Sequence, residues 1–315
     1  MLRRAFLKQS TAAVAGLAVA PGGSATAAPA SRIIDTHTHF YDPTRAGGVP
    51  WPESNSPLYR QVMPSDWRLV AEPHGVTQTV VVEASKLAED NAWILEVAAR
   101  EKCIVGFVGN LAPHEPEFAQ HLTRFAAIPI FRGIRVSGTA FLDRVDDPTF
   151  RAGITRLADH DLSLDLNGPP KLLLAAARLA GDFPSLRIVL DHVGSAGDPT
   201  RLTAEWREGM QALGKRSNVA CKVSGLIEQT DAAKQRWGEA PRDTSYFAPI
   251  LDHCRECFGP ERLLYGSNWP VCEKGGTYAD QFRIVKEYFT AQGAEACENF
   301  FWKNSRAFYR WIERI

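Results

Sequence analysis

Ile33–Phe40 reads I-I-D-T-H-T-H-F: an apolar start, a carboxylate, and two histidines separated by one threonine. Read as a strand, its side chains alternate with period two, so His37 and His39 point to the same side. Neutral imidazole is a common ligand for zinc and similar ions, and a same-side pair makes half of a metal site. An H-x-H alone is a weak motif that also fits one packed and one solvated histidine. Its context decides the reading: seven further strand-like runs follow it, several ending in polar residues.

Those runs are Thr79–Glu83, Ile104–Val108, Phe131–Val136, Leu162–Leu166, Arg187–Asp191, Val219–Val223 and Leu263–Gly266, after Ile33–Thr38. Several are nearly all apolar, as strands buried on both faces should be. Helical patterns alternate with them: Asp90–Glu101, Glu115–Ala127, Asp147–Asp159, Pro170–Asp182, Thr203–Lys215 and Tyr246–Phe258, with Thr277–Ala291 and Ala294–Ile315 closing the chain. Strand–helix alternation predicts a parallel sheet with crossover helices, and eight such units are the count of a (β/α)8 TIM barrel. Two long irregular loops, Tyr41–Leu58 and Gly225–Thr244, follow the first and seventh strands, and the first is placed to cap a site. No internal repeat or low-complexity linker divides the chain, so residues 30–315 read as one domain.

The 315 residues carry 36 basic and 36 acidic side chains, a balance that points to neither nucleic acid nor an anionic membrane surface as partner. Residues 1–29 read as a leader. Arg3 and Arg4 precede a small-residue apolar run over Thr11–Ala20, and A-x-A sites end at Ala27 and Ala30. That order of features is similar to a twin-arginine export signal and predicts a periplasmic or secreted protein with no membrane anchor after cleavage. Cys254 and Cys257 form a C-x-x-C on a helical pattern. Without a second ligand pair at similar spacing, they read as packing residues.

In a TIM barrel the chemistry lies at the C-terminal strand ends. Here those ends carry His37 and His39, Glu83, Arg135, Asp165 and Asn167, Asp191 and His192, Lys222 and Ser224, then Ser267, Asn268 and Trp269. A charge pointing into a barrel mouth is costly unless something there uses it, so Glu83, Arg135 and Lys222 read together as parts of a site. Asp191 and His192 are adjacent and cannot both point inward along a regular strand, and His192 is expected to be the inward one.

D-T-H-T-H, V-V-V-E-A-S with E-D-N-A-W after it, F-R-G-I-R, L-D-H-V-G, C-K-V-S-G-L and Y-G-S-N-W-P-V together resemble the amidohydrolase-related family of TIM-barrel, metal-dependent-type hydrolases. That family includes fuconolactonases and pyrone-dicarboxylate lactonases, and the resemblance spans nearly the whole chain after the leader. It implies a hydrolase that opens a lactone ring of a small polar substrate. His37, His39 and His192 would face one divalent metal ion, zinc or manganese, or else the substrate directly, since some members work without metal. Arg135, Lys222 and Trp269 would bind substrate, and Glu83, His192 and Asn268 would be catalytic. Lactonases of this type carry an aspartate where this chain has Asn268, and a carboxamide cannot act as a general base at neutral pH. Hydrolysis would then need another proton acceptor, Glu83 first and His192 second. The alternatives are a decarboxylase of the same superfamily, or a non-catalytic periplasmic binder of sugar acids or lactones.

Overall fold

In the computed structural model, which describes residues 32–314, the opening stretch forms β1 (Ile34–Thr38), buried at all five positions. The leader expected over residues 1–29, with Arg3, Arg4, Ala27 and Ala30, lies outside the described residues. Seven further strands are β2 (Gln78–Val82), β3 (Ile104–Gly109), β4 (Phe131–Ser137), β5 (Ser163–Asn167), β6 (Arg187–Leu190), β7 (Val219–Val223) and β8 (Leu263–Tyr265). They pair in parallel and in sequence order, as the alternation of strands and helices predicts. The ring closes through a parallel bridge of Thr38 with Trp269. There the His39 N–H donates to the Trp269 carbonyl (2.9 Å) and the Asn268 N–H to the His37 carbonyl (2.8 Å). The molecule is a (β/α)8 barrel.

Alternation along each strand divides the core in two. Ile34, Val80, Val82, Val189, Ala220 and Leu264 fill the barrel interior, while Val81, Phe107, Ile134 and Leu164 face the helical layer. Helices Asp90–Arg100, Pro148–Asp159, Ala204–Gly214 and Tyr278–Ala291 match their sequence patterns to within a residue at each end. The second pattern starts late, at Phe118 instead of Glu115. Two short helices, Pro64–Ala71 and Gly138–Arg144, lie outside the sequence patterns, and a third, Asp231–Gln235, falls inside the expected loop Gly225–Thr244.

The last expected helix, Ala294–Ile315, needs correction. It runs from Ala294 through a π-helical turn over Asn299–Lys303 to Tyr309, and ends where Arg310 takes a left-handed conformation (φ 50°). The chain then runs extended, with the Ile312 N–H donating to the Val105 carbonyl (2.9 Å). Phe308, Tyr309 and Trp311 join the interior cluster and plug the barrel end opposite the strand C-termini. Burying three aromatic rings there outweighs continuing a helix that has no partner. Cys254 and Cys257 carry free thiols, the first fully buried beside Cys221 of β7. No helix among the described residues is long and apolar enough to cross a membrane.

Candidate active site

The C-terminal mouth of the barrel holds a cavity of about 410 Å³ whose walls include His39, Glu83, Arg135, His192 and Asn268. Pro50 and Trp51 of the loop after β1 form another side, so that loop does reach over the strand ends. Its base is pinned by paired backbone hydrogen bonds between Tyr41 and Val62 (3.0 and 2.9 Å) and by the Tyr41 hydroxyl on the Leu58 carbonyl (2.8 Å).

Each of the three histidines is anchored through Nδ1. His39 Nδ1 lies 3.0 Å from the Val82 carbonyl and 3.1 Å from the Glu83 carbonyl; because carbonyls only accept, this nitrogen carries the proton. His192 Nδ1 meets the Ser224 hydroxyl at 2.9 Å, and Gly225 (φ +64°) makes room for the ring, since a Cβ there would stand 2.9 Å from that nitrogen. His37 Nδ1 faces the Lys222 ammonium at 3.2 Å, and its Nε2 is buried with no hydrogen-bond partner. The His37 ring centroid lies 4.9 Å from that of His39 and 4.4 Å from that of His192. Burial disfavours the charged form of all three: it lowers His192 to about 4, His39 to about 3, and His37 well below the ordinary range. All three are neutral imidazoles at pH 7.

At the end of β6 the expectation that only His192 points inward is overturned, for both neighbours do. The strand stops at Leu190, and the next residues form a tight turn in which His192 (φ 53°) and Val193 (φ 48°) are left-handed. Regular alternation does not apply through such a turn. A β-branched residue at positive φ is a strained conformation, costing on the order of 1–3 kcal/mol. The surroundings hold it: the Trp206 indole donates to the Val193 carbonyl (2.8 Å), and the Gly194 N–H to the Asp191 carbonyl (3.0 Å).

Asp191 thereby enters a sealed polar cluster beneath the cavity. Lys222 Nζ sits 3.0 Å from Asp191 Oδ1 and 3.0 Å from Asp165 Oδ2, with no part of the three side chains exposed. The Tyr309 hydroxyl donates to Asp165 Oδ2 (2.5 Å), tying the C-terminal plug to this cluster. Burial pushes the Asp165 carboxyl up, whereas the Asp191 carboxyl, despite its burial, is held well below the usual range by Lys222, His37 and His192. Lys222, expected to contact substrate, is therefore a fully buried counter-ion outside the cavity lining. Trp269 is also absent from the lining: its indole donates to Glu273 (3.1 Å), and its ring packs edge-on to Phe40.

Glu83 and Arg135 do line the cavity, as one unit. Arg135 Nε donates to Glu83 Oε1 (2.8 Å) and its NH2 group to the Glu83 carbonyl (2.9 Å). Asn268 stands between two partners, with Oδ1 3.2 Å from His39 Nε2 and Nδ2 donating to Glu228 at 2.5 Å. Glu228 was not singled out from the sequence. It sits in the short turn Ile227–Gln229 after β7, and its acidic side chain directly after Leu226-Ile227 was the available signal.

The metal set expected from the sequence was His37, His39 and His192. The side chains whose ligand atoms lie within 4.8 Å of one another are instead His37, Asp191 and His192, all buried. The Asp191 carboxylate oxygens, buried without a hydrogen-bond partner between two neutral imidazoles, suit a divalent cation, and the nitrogen-and-oxygen donor set suits zinc. His39 lies outside this group, its unprotonated Nε2 3.2 Å from Asn268 Oδ1.

A family model described as Amidohydrolase matches residues 34–311. The L-fucono-1,5-lactonase of Burkholderia ambifaria is 31% identical over 278 residues, covering 87% of this chain and 91% of that protein. The L-fucono-1,5-lactonase of Burkholderia multivorans is 27% identical, with 87% and 94% covered. Among solved structures, an amidohydrolase from Burkholderia multivorans with bound zinc superimposes with a TM-score of 0.79 at 25% identity, over 89% of this chain and all of that one.

Proposed function

The chain belongs to the amidohydrolase family and is a lactonase-like hydrolase, and from that premise we propose that it opens the ring of a small, polar lactone. The observation that carries this reading is the cavity wall, where a carboxylate, a guanidinium, two neutral imidazoles and the carboxamides of Asn167 and Asn268 face one space at the strand ends. The water oxygen bonds to the lactone carbonyl carbon, the ring C–O bond breaks, and the ring oxygen leaves as a hydroxyl. Glu83 takes the proton of the attacking water. Arg135, held by Glu83, presents its remaining N–H groups to the carbonyl oxygen as charge develops on it. A divalent ion such as zinc or manganese, held by His37, Asp191 and His192, would supply Lewis-acid polarisation. Lys86 and Lys274, also in the lining, suit a substrate rich in hydroxyl or carboxylate groups and the carboxylate that hydrolysis creates.

A panel of sugar lactones assayed with a pH indicator tests this reading. Proton release without carbon dioxide is the expected result. Carbon dioxide release would make the chain a decarboxylase, and thermal stabilisation by a lactone without turnover would make it a binder.

We also propose that residues 1–29 direct twin-arginine export to the periplasm. Support comes from the order of Arg3-Arg4, the apolar run and the A-x-A sites. Replacing both arginines with lysine should leave an uncleaved precursor in the cytoplasm, and normal processing of that double variant would refute the route.

A further inference from the structure

The carboxamide of Asn268 is ambivalent, with an acceptor on one edge and donors on the other. Its backbone is not free to adjust. Asn268 is left-handed (φ 59°), its N–H donates to the His37 carbonyl (2.8 Å), and its carbonyl accepts from the Cys272 N–H (3.0 Å). Only the rotation of the amide remains open, and what lies behind it decides that rotation. There the Glu228 carboxyl places Oε1 2.5 Å from Asn268 Nδ2. Glu228 as a whole is partly exposed, but its Oε2 is shielded from solvent and has no hydrogen-bond partner. A buried carboxyl group with one oxygen committed to a cavity residue and the other to nothing is costly to keep for packing alone.

We propose that Glu228 is a positioning residue of the hydrolytic site: through this hydrogen bond it holds the Asn268 carboxamide with the oxygen, not the NH2, turned to the cavity beside the unprotonated Nε2 of His39, so that two acceptors 3.2 Å apart face one water. A carboxylate can only accept, so ionised Glu228 selects Nδ2 and leaves Oδ1 as the edge offered to the site. An acceptor there can take a hydrogen bond from the attacking water and aim its lone pair at the lactone carbonyl. Protonated Glu228 would donate to Oδ1, reverse the amide and present NH2 in its place.

The turn Val271–Lys274, packed against Glu228, brings the Lys274 ammonium and the Cys272 thiol towards the carboxyl. Burial outweighs the attraction of Lys274 and pushes the carboxyl up to about 7. The oxygen-inward arrangement therefore belongs to the pH range above about 7 and the reversed one to the range below it.

This role rests on the lactonase reading, so the test includes a measurement that needs no substrate. In wild type, kcat should fall about tenfold between pH 8 and pH 6 as Glu228 takes up a proton. Glu228→Gln, whose amide can accept or donate and so no longer selects the Asn268 orientation, should lower kcat at pH 8 and lose that acid limb. Glu228→Asp retracts the carboxylate and should lower kcat at every pH, which keeps the role testable if the Gln variant does not fold. In an Asn268→Ala background, Glu228→Gln should change the profile no further. Without substrate, the 15N–1H side-chain amide signal of Asn268 should shift with a midpoint near 7 in wild type and stay fixed in Glu228→Gln. Superimposable profiles for wild type and Glu228→Gln, or an Asp variant as fast as wild type, would overturn the role. An Asn268 amide insensitive to pH would overturn it even if no lactone is ever turned over. A titrating amide in a protein inert on every lactone would remove the hydrolase reading and leave the Glu228–Asn268 coupling standing.

Discussion

Lys222 and Arg135 are both cations at strand ends, both beside carboxylates, yet they sit in opposite worlds. Lys222 is sealed beneath the cavity between Asp165 and Asp191, and no part of its side chain reaches solvent. Arg135 stands one layer higher, paired with Glu83 on the cavity wall and with NH1 4.0 Å from Asp191 Oδ2. In the lower cluster the ammonium is held between Asp165, Asp191 and His37, and the Tyr309 hydroxyl donates to Asp165, while His37 Nε2 stays without a hydrogen-bond partner. The upper pair keeps unspent hydrogen-bonding capacity. A charge at a barrel mouth thus marks a functional layer without saying which part of that layer does chemistry. In this molecule the sealed charges form a floor that orients His37, and the open ones form the wall that meets the ligand.

The contrast can be broken from either side. Lys222→Met would leave two buried carboxylates without their shared cation, and removing one partner of a buried pair costs about 3–5 kcal/mol. Urea unfolding should show that loss as a lower midpoint with an unchanged slope. A loss below about 1 kcal/mol would mean that the cluster does not depend on its cation. Glu83→Gln should do the reverse. Turnover should fall on the order of a hundredfold, as for removal of a general base, which corresponds to about 2.7 kcal/mol of barrier. The unfolding midpoint should barely move, because the exposed face of the pair can be hydrated. Turnover that survives Glu83→Gln would remove Glu83 from the chemistry and leave the wall with a binding role only.

Much of this was legible in the residues. Apolar runs with period-two and period-3.6 patterns are local properties, so the eight strands, their order and most helices could be read directly. The H-x-H pair on β1, Glu83 and Arg135 could also be read, because each interrupts or ends an apolar strand where charge is costly. Reading failed where the backbone left a regular period. Asp191 and His192 both turn inward because the strand gives way to four consecutive left-handed residues, 192–195, a conformation that alternation does not encode. The last helix ends at Tyr309 so that Trp311 can seal the barrel floor, a choice made by a void that exists only once eight strands have closed.

By itself, then, the sequence determined the barrel, the end that bears the chemistry and the residue types brought there, because burial of apolar strand faces and helix faces leaves one topology for this pattern. Only the tertiary structure decided which charges are floor and which are wall, and that the carboxylate missing at Asn268 has a neighbour in Glu228. Glu228 and Asn268 are forty residues apart and on different turns. Nothing in the spacing of either announces the other. Their contact depends on how the turns after β7 and β8 pack, and the ionisation of a carboxyl group depends on the solvent that this packing excludes.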